Sequence, residues 1–70
     1  MTVGQRIRAR REARRLSLDG LAKKIKRNKS TVLRYETGAL SLRVAELERI
    51  ADALGCDVRV LLSTRRRGAA

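Results

Sequence analysis

Apolar residues recur along this chain at helical spacing, not at the two-residue alternation of strands. The clearest stripe is Val44, Leu47, Ile50, Ala51 and Leu54, with Glu46, Glu48, Arg49 and Asp52 on the other face. It predicts a helix from about Leu42 or Arg43 to Leu54, closed by Gly55. Val3, Ile7 and Ala13 lie roughly along one stripe of an earlier helix, from about residue 3 to Arg14, whose other positions are mostly Arg and Glu. Between these two, Leu21 and Ile25 stand four apart in "LDGLAKKI", with Ser17 placed to cap the segment and Asp19 in its positive first turn. Gly20 weakens that helix by up to about 1 kcal/mol relative to alanine, so it calls for tertiary support.

The segment "KSTVLRYE" predicts a third helix, capped by Asn28 and ended by a left-handed Gly38. Val32 and Tyr35 share one side of it. Ser30, Leu33, Arg34 and Thr37 share the other, with Lys29 on the flank, and this outer face is short, polar and cationic. After Gly55, Asp57 can cap a short fifth helix over "VRVLLS". The alternation of Val58, Arg59 and Val60 also fits a strand, but no other segment offers a partner strand, so the helix is preferred. The expectation is one small all-α domain of five helices over residues 1–62, followed by a basic, flexible tail over residues 63–70. A chain of 70 residues has room for one core, and dimerisation would help so small a domain.

Charge then narrows the function. Eighteen Lys and Arg against seven Asp and Glu leave a net charge of +11, which favours an anionic partner. Nucleic acid comes first, ahead of an anionic membrane or an acidic protein. With no His and one Cys, neither a metal cluster nor an internal disulfide is expected, and no cofactor is implied. Cys56 reads as a small buried hydrophobe, with redox sensing the alternative. No apolar run is long enough to span a membrane, and the N-terminus lacks the apolar stretch of a secretory signal, so a cytoplasmic protein, nucleoid-associated when bound to DNA, is expected. No arrangement of His, Cys or phosphate-cradling Gly supports an enzyme.

Two short helices joined by about four residues, the second buried on one side and cationic on the other, form a helix-turn-helix unit whose second helix can enter a DNA major groove. On "IRARREARRLSLDGLAKKI", "STVLRYETG" and "LERIADALGCDVRVLL", residues 3 to 62 resemble the Cro and phage-repressor type of helix-turn-helix domain, the xenobiotic-response-element family. The resemblance implies the compact five-helix, lambda-repressor-like fold, with double-stranded DNA as partner. It further implies that Arg11 and Glu36 pair across the first and third helices.

The positions matching the family's base contacts are Asn28, Lys29, Ser30, Leu33 and Arg34. Lys29 and Arg34 can donate to guanine O6 and N7, Ser30 can donate or accept, and Leu33 can lie against a thymine methyl. Asn28 is divided between capping, which comes first, and a DNA contact. Phosphate attachment is the alternative for Lys29 and Arg34, and core or dimer packing for Leu33. Lys26, Arg27, Thr37 and Arg43 flank the helix and are assigned to phosphates. The family pairs its copies through the end of the domain, here Val58, Val60, Leu61 and Leu62, with intramolecular core as the competing role for at least two of them.

Three positions depart from the family pattern. Lys26 and Arg27 stand where the turn has Gly and an apolar residue, Leu18 where the second helix opens with Gln, and Gly20 where an acidic residue is usual. Lys26 would need a positive φ in the usual turn, so a slightly different, unstrained turn is the preferred expectation. The function expected is a sequence-specific DNA-binding regulator, a repressor acting as a homodimer on an inverted repeat. The alternative is an antitoxin or regulatory subunit whose main partner is another protein and whose DNA binding is autoregulatory. Nonspecific binding of nucleic acid or membrane suits the charge but leaves the helix-turn-helix organisation without a use.

Overall fold

The computed structural model describes residues 2–62; the basic tail expected over residues 63–70 lies outside the described residues. Five helices follow in order: α1 (Val3–Ala13), α2 (Leu18–Lys24), α3 (Lys29–Thr37), α4 (Val44–Leu54) and α5 (Val58–Leu62). The described residues contain no strand, so the alternation of Val58, Arg59 and Val60 resolves as helix.

Helix α1 carries charge nearly all round and owes its start to a capping box. The Thr2 hydroxyl accepts from the Gln5 amide at 3.1 Å, and the Thr2 amide donates to Gln5 Oε1 at 2.9 Å. Its buried stripe is Gly4, Ile7 and Arg11, spaced three and four apart. Ala13, expected on that stripe, is exposed, because at two residues beyond the buried Arg11 it points to the opposite side of the helix. Gly4 is where α1 touches α3: a β-carbon at this position would overlap the carbonyl oxygens of Tyr35 and Glu36. A side chain of any size would force the two helices apart.

The core joins Ile7, Leu21, Ala22, Ile25, Val32, Tyr35, Leu47, Ile50, Ala51, Leu54 and Leu61. Three expectations for the C-terminal half change. Val44 belongs to the apolar stripe by phase, yet it is 64% exposed, since it opens α4 beyond the reach of the neighbouring helices. Glu46, expected outside, is buried at 7% exposure, because partners from α3 and the α2–α3 turn satisfy its carboxylate. Leu61, expected in a dimer interface, is fully buried within its own chain, where α5 packs on α1 and α4. Val58 and Val60 are half-buried, and Leu62 is exposed.

The turns share one device. Helices α1 and α2 both end in a left-handed residue, with φ of 57° at Arg15 and 58° at Lys26. The Leu16 amide donates to the Arg11 carbonyl at 3.0 Å, and the Arg27 amide to the Ala22 carbonyl at 2.9 Å, the six-to-one bond that closes a Schellman motif. The unstrained α2–α3 turn preferred from sequence is therefore corrected: the usual turn survives with lysine in the glycine position. Satisfying the last carbonyls of α2 offsets a conformational cost of order 1 kcal/mol.

Candidate nucleic-acid interface

Helix α3 is built to present one face while the other is held. Its start is set by Asn28, whose Oδ1 accepts from the Thr31 amide at 2.8 Å, the Thr31 hydroxyl at 2.9 Å and the Ser30 hydroxyl at 3.3 Å. Its end is set by Gly38, left-handed at φ 84°. Val32, Tyr35 and Glu36 point inward. Lys29, Ser30, Leu33, Arg34 and Thr37 are all exposed, Leu33 at 47%. The five positions read from sequence as base contacts, together with Thr37, thus lie on one accessible surface formed by the α3 cap and its outer face.

Two arginine–carboxylate clusters hold the inner face. Arg11 donates through Nε to Glu36 Oε2 at 2.7 Å and through Nη2 to Oε1 at 3.1 Å, while its Nη1 donates to the Leu16 carbonyl at 2.8 Å. One guanidinium therefore ties α1 to α3 and to the α1–α2 turn. The Glu36 hydrogen bond, opposed by burial, keeps Arg11 above its usual pKa.

The second cluster centres on Glu46 of α4. Arg27 donates through Nε to Glu46 Oε2 at 2.9 Å and through Nη2 to Oε1 at 3.3 Å, and the Tyr35 hydroxyl donates to Oε2 at 3.2 Å. Arg49 Nη1 lies 3.7 Å from Oε1, and its Nη2 donates to the Ile25 carbonyl at 2.7 Å. The hydrogen bond from Arg27 is the main reason that the Glu46 carboxyl sits below the usual carboxylate range; burial works against it. Burial, then the Glu46 charge, pushes the Tyr35 phenol up, which keeps it a donor.

Among the residues assigned to phosphates, Lys26, Thr37 and Arg43 are exposed: Lys26 in the turn before α3, Thr37 at its last position, and Arg43 at the start of α4 making no side-chain cap. Arg27 differs, since its guanidinium is engaged by Glu46. The four residues assigned to dimer contact do not make one surface, because Leu61 is core. Reading from sequence missed Glu46 and Arg49. A signal for Glu46 was present in its phase with Ile50 and Leu54, four and eight residues on, though its charge argued for the outer face.

No described helix is long and apolar enough to cross a membrane, and the described residues contain no group of side chains suited to a metal ion. No curated protein sequence matches the chain. Among solved structures, the DNA-binding domain of the P22 c2 repressor in solution is similar with a TM-score of 0.86 and 25% identity, over 91% of this chain and 84% of that one. The P22 c2 repressor in complex with a synthetic operator gives a TM-score of 0.80 at 24% identity, over 87% and 92%. SinR, a master regulator for biofilm formation solved in complex with DNA, gives 0.82 at 30% identity, over 89% and 100%. The helix-turn-helix domain family matches residues 2–63, and the chain belongs to that family, in the five-helix form of the phage-repressor domains.

Proposed function

We propose that the protein is a sequence-specific regulator of transcription that binds double-stranded DNA as a homodimer, with α3 lying in the major groove. The observation that carries this reading is the exposed row Lys29, Ser30, Leu33, Arg34 and Thr37 on a helix whose opposite face is fixed by two ion-pair clusters. Donors, a hydroxyl and an apolar tip in fixed register are what base edges require. The relatives of this fold include repressor and regulator chains solved on DNA. Arg34 and Lys29 read bases, Ser30 and Leu33 complete the contact, and Asn28 adds its amide at the helix start. Lys26, Thr37 and Arg43 hold phosphates. A single domain covers few base pairs, so two copies on an inverted repeat would set two α3 helices about one DNA turn apart, with Val58, Val60 and Leu62 near the contact.

Selection of bound sequences from a random DNA pool, repeated at several salt concentrations, tests this directly. A palindromic consensus is expected; recovery of none would defeat the reading. On the selected site Arg34→Ala should cost roughly 1 to 3 kcal/mol and relax one base position, whereas Arg43→Ala should weaken all sequences alike and reduce the salt dependence. Equal losses on selected and random DNA for Arg34→Ala would move that residue to the phosphate class.

A further inference from the structure

The α2–α3 turn is joined to α4 by two arginine side chains that meet at one carboxylate. Arg27 crosses from the turn to Glu46, and Arg49 bridges from beside Glu46 back to the Ile25 carbonyl. The tether spans the residue forced into the left-handed conformation, Lys26. The two ends of the Arg27–Glu46 pair differ in solvent access: the Arg27 side chain is 47% exposed and the Glu46 side chain 8%. If the guanidinium swung out to a phosphate, the buried carboxylate would lose its bidentate partner and keep only Tyr35 and the longer contact with Arg49. A solvent-exposed phosphate contact, screened by salt, is the weaker claim on Arg27.

We propose that Glu46 is a positioning residue of the DNA interface: it holds the Arg27 guanidinium off the phosphate backbone and clamps the α2–α3 turn to α4, fixing the direction in which α3 meets the groove. The inference rests on the DNA-binding reading above. It assigns Arg27, a phosphate contact by sequence, to the scaffold. It also explains how the turn tolerates a cation in a place where the family has an apolar side chain: a buried carboxylate from α4 receives it.

The test compares wild type, Glu46→Gln, Arg27→Ala and the control Glu48→Gln, which removes an exposed charge from the same helix. Each is measured on a selected site and on random DNA across a salt series, after thermal unfolding shows it folded. Glu46→Gln should lower the ratio of specific to random affinity about tenfold, the order of one charge-assisted hydrogen bond. It should also steepen the logarithmic salt slope on random DNA by about 0.9, the value for one phosphate gained by the released Arg27. Arg27→Ala should leave that slope unchanged, and Glu48→Gln should shift both DNAs alike.

A slope made shallower by about 0.9 in Arg27→Ala would overturn the proposal, because Arg27 would then already touch phosphate. Equal losses on both DNAs for Glu46→Gln would reduce Glu46 to a purely structural part. The clamp is also read without DNA, from the Arg27 Nε–H signal in nitrogen-edited spectra: slowed exchange is expected in wild type and in Glu48→Gln. Fast exchange in wild type would sink the clamp, and should Glu46→Gln not fold, this signal and the Arg27→Ala slope still decide. Wild-type protein with a protected Arg27 signal but no sequence preference would overturn the DNA reading instead.

Discussion

Helix α3 is anchored directly by one arginine fork on a glutamate and, through the turn before it, by a second, yet the two anchors differ in how far they lie from water. At Arg11–Glu36 the side chains are 10% and 3% exposed; at Arg27–Glu46 they are 47% and 8%. Both carboxylates are buried, but only the first arginine is. Removing either member of the first anchor leaves an uncompensated charge inside. Removing Arg27 also strands a buried carboxylate, but Tyr35 and Arg49 still reach Glu46, so losing the second anchor should cost less. One anchor fixes whether α3 is there; the other adjusts how it stands.

The largest effect should separate them. Arg11→Met strands Glu36 and should cost about 3 to 5 kcal/mol, comparable to what a core of this size supplies in total. Urea unfolding should then show no cooperative transition, while Arg27→Met keeps one. Similar midpoints for the two variants would erase the distinction.

Gly4→Ala sharpens the comparison from the backbone side, since the added methyl meets the Tyr35 and Glu36 carbonyls next to the first anchor. A loss of roughly 1 to 3 kcal/mol is expected by the same measurement. A neutral result would mean that the α1–α3 spacing is set by the ion pair and not by the helix contact.

Acid should act on the second anchor. The Glu46 carboxyl is depressed in the folded protein from an ordinary value of 4.5, so its contribution to stability is complete above that pH and is lost as pH falls through the lower folded value. Unfolding midpoints measured from neutral to strongly acidic pH should therefore fall less steeply below about 4.5 in Glu46→Gln than in wild type. The exposed Asp57, depressed mainly by its side-chain hydrogen bond with Arg59, remains as a common background in both proteins.

The smallest effect is expected at the turn itself. Lys26→Gly removes a left-handed penalty of about 1 to 2 kcal/mol but adds backbone entropy to the unfolded chain, for a net gain of roughly half a kcal/mol. A loss would show that the lysine side chain stabilises the turn beyond its backbone cost.

Much of this architecture was legible because helical phase and caps are local. Ser17, Asn28, Gly38 and Gly55 mark helix ends where they were read, and Leu47, Ile50, Ala51 and Leu54 face the core as their spacing requires. Ala13 is a plain error of phase, lying opposite the buried Arg11. The other misreadings share a cause, namely that phase gives a face but not the neighbour that covers it. Val44 is in phase but opens α4 and stays exposed. Leu61 is claimed by a core that only the packing of α5 on α1 and α4 creates. Glu46 is buried through partners 11 and 19 residues away, and no local pattern announces them. Arg11 and Glu36, 25 residues apart, were legible only through resemblance. The exposure of the outer face of α3 was the easiest feature of the candidate site to read, being the polar remainder of an amphipathic helix.

The cap of α3 carries a last consequence. Three donors converge on the Asn28 oxygen, while its nitrogen donates to no acceptor among the described residues. One planar amide thus divides its labour: the oxygen starts the helix, and the two hydrogens at the other end are left to speak to whatever approaches. Exchanging that amide for a carboxylate would preserve the first task and invert the second, turning an outward donor into a negative charge at the start of α3.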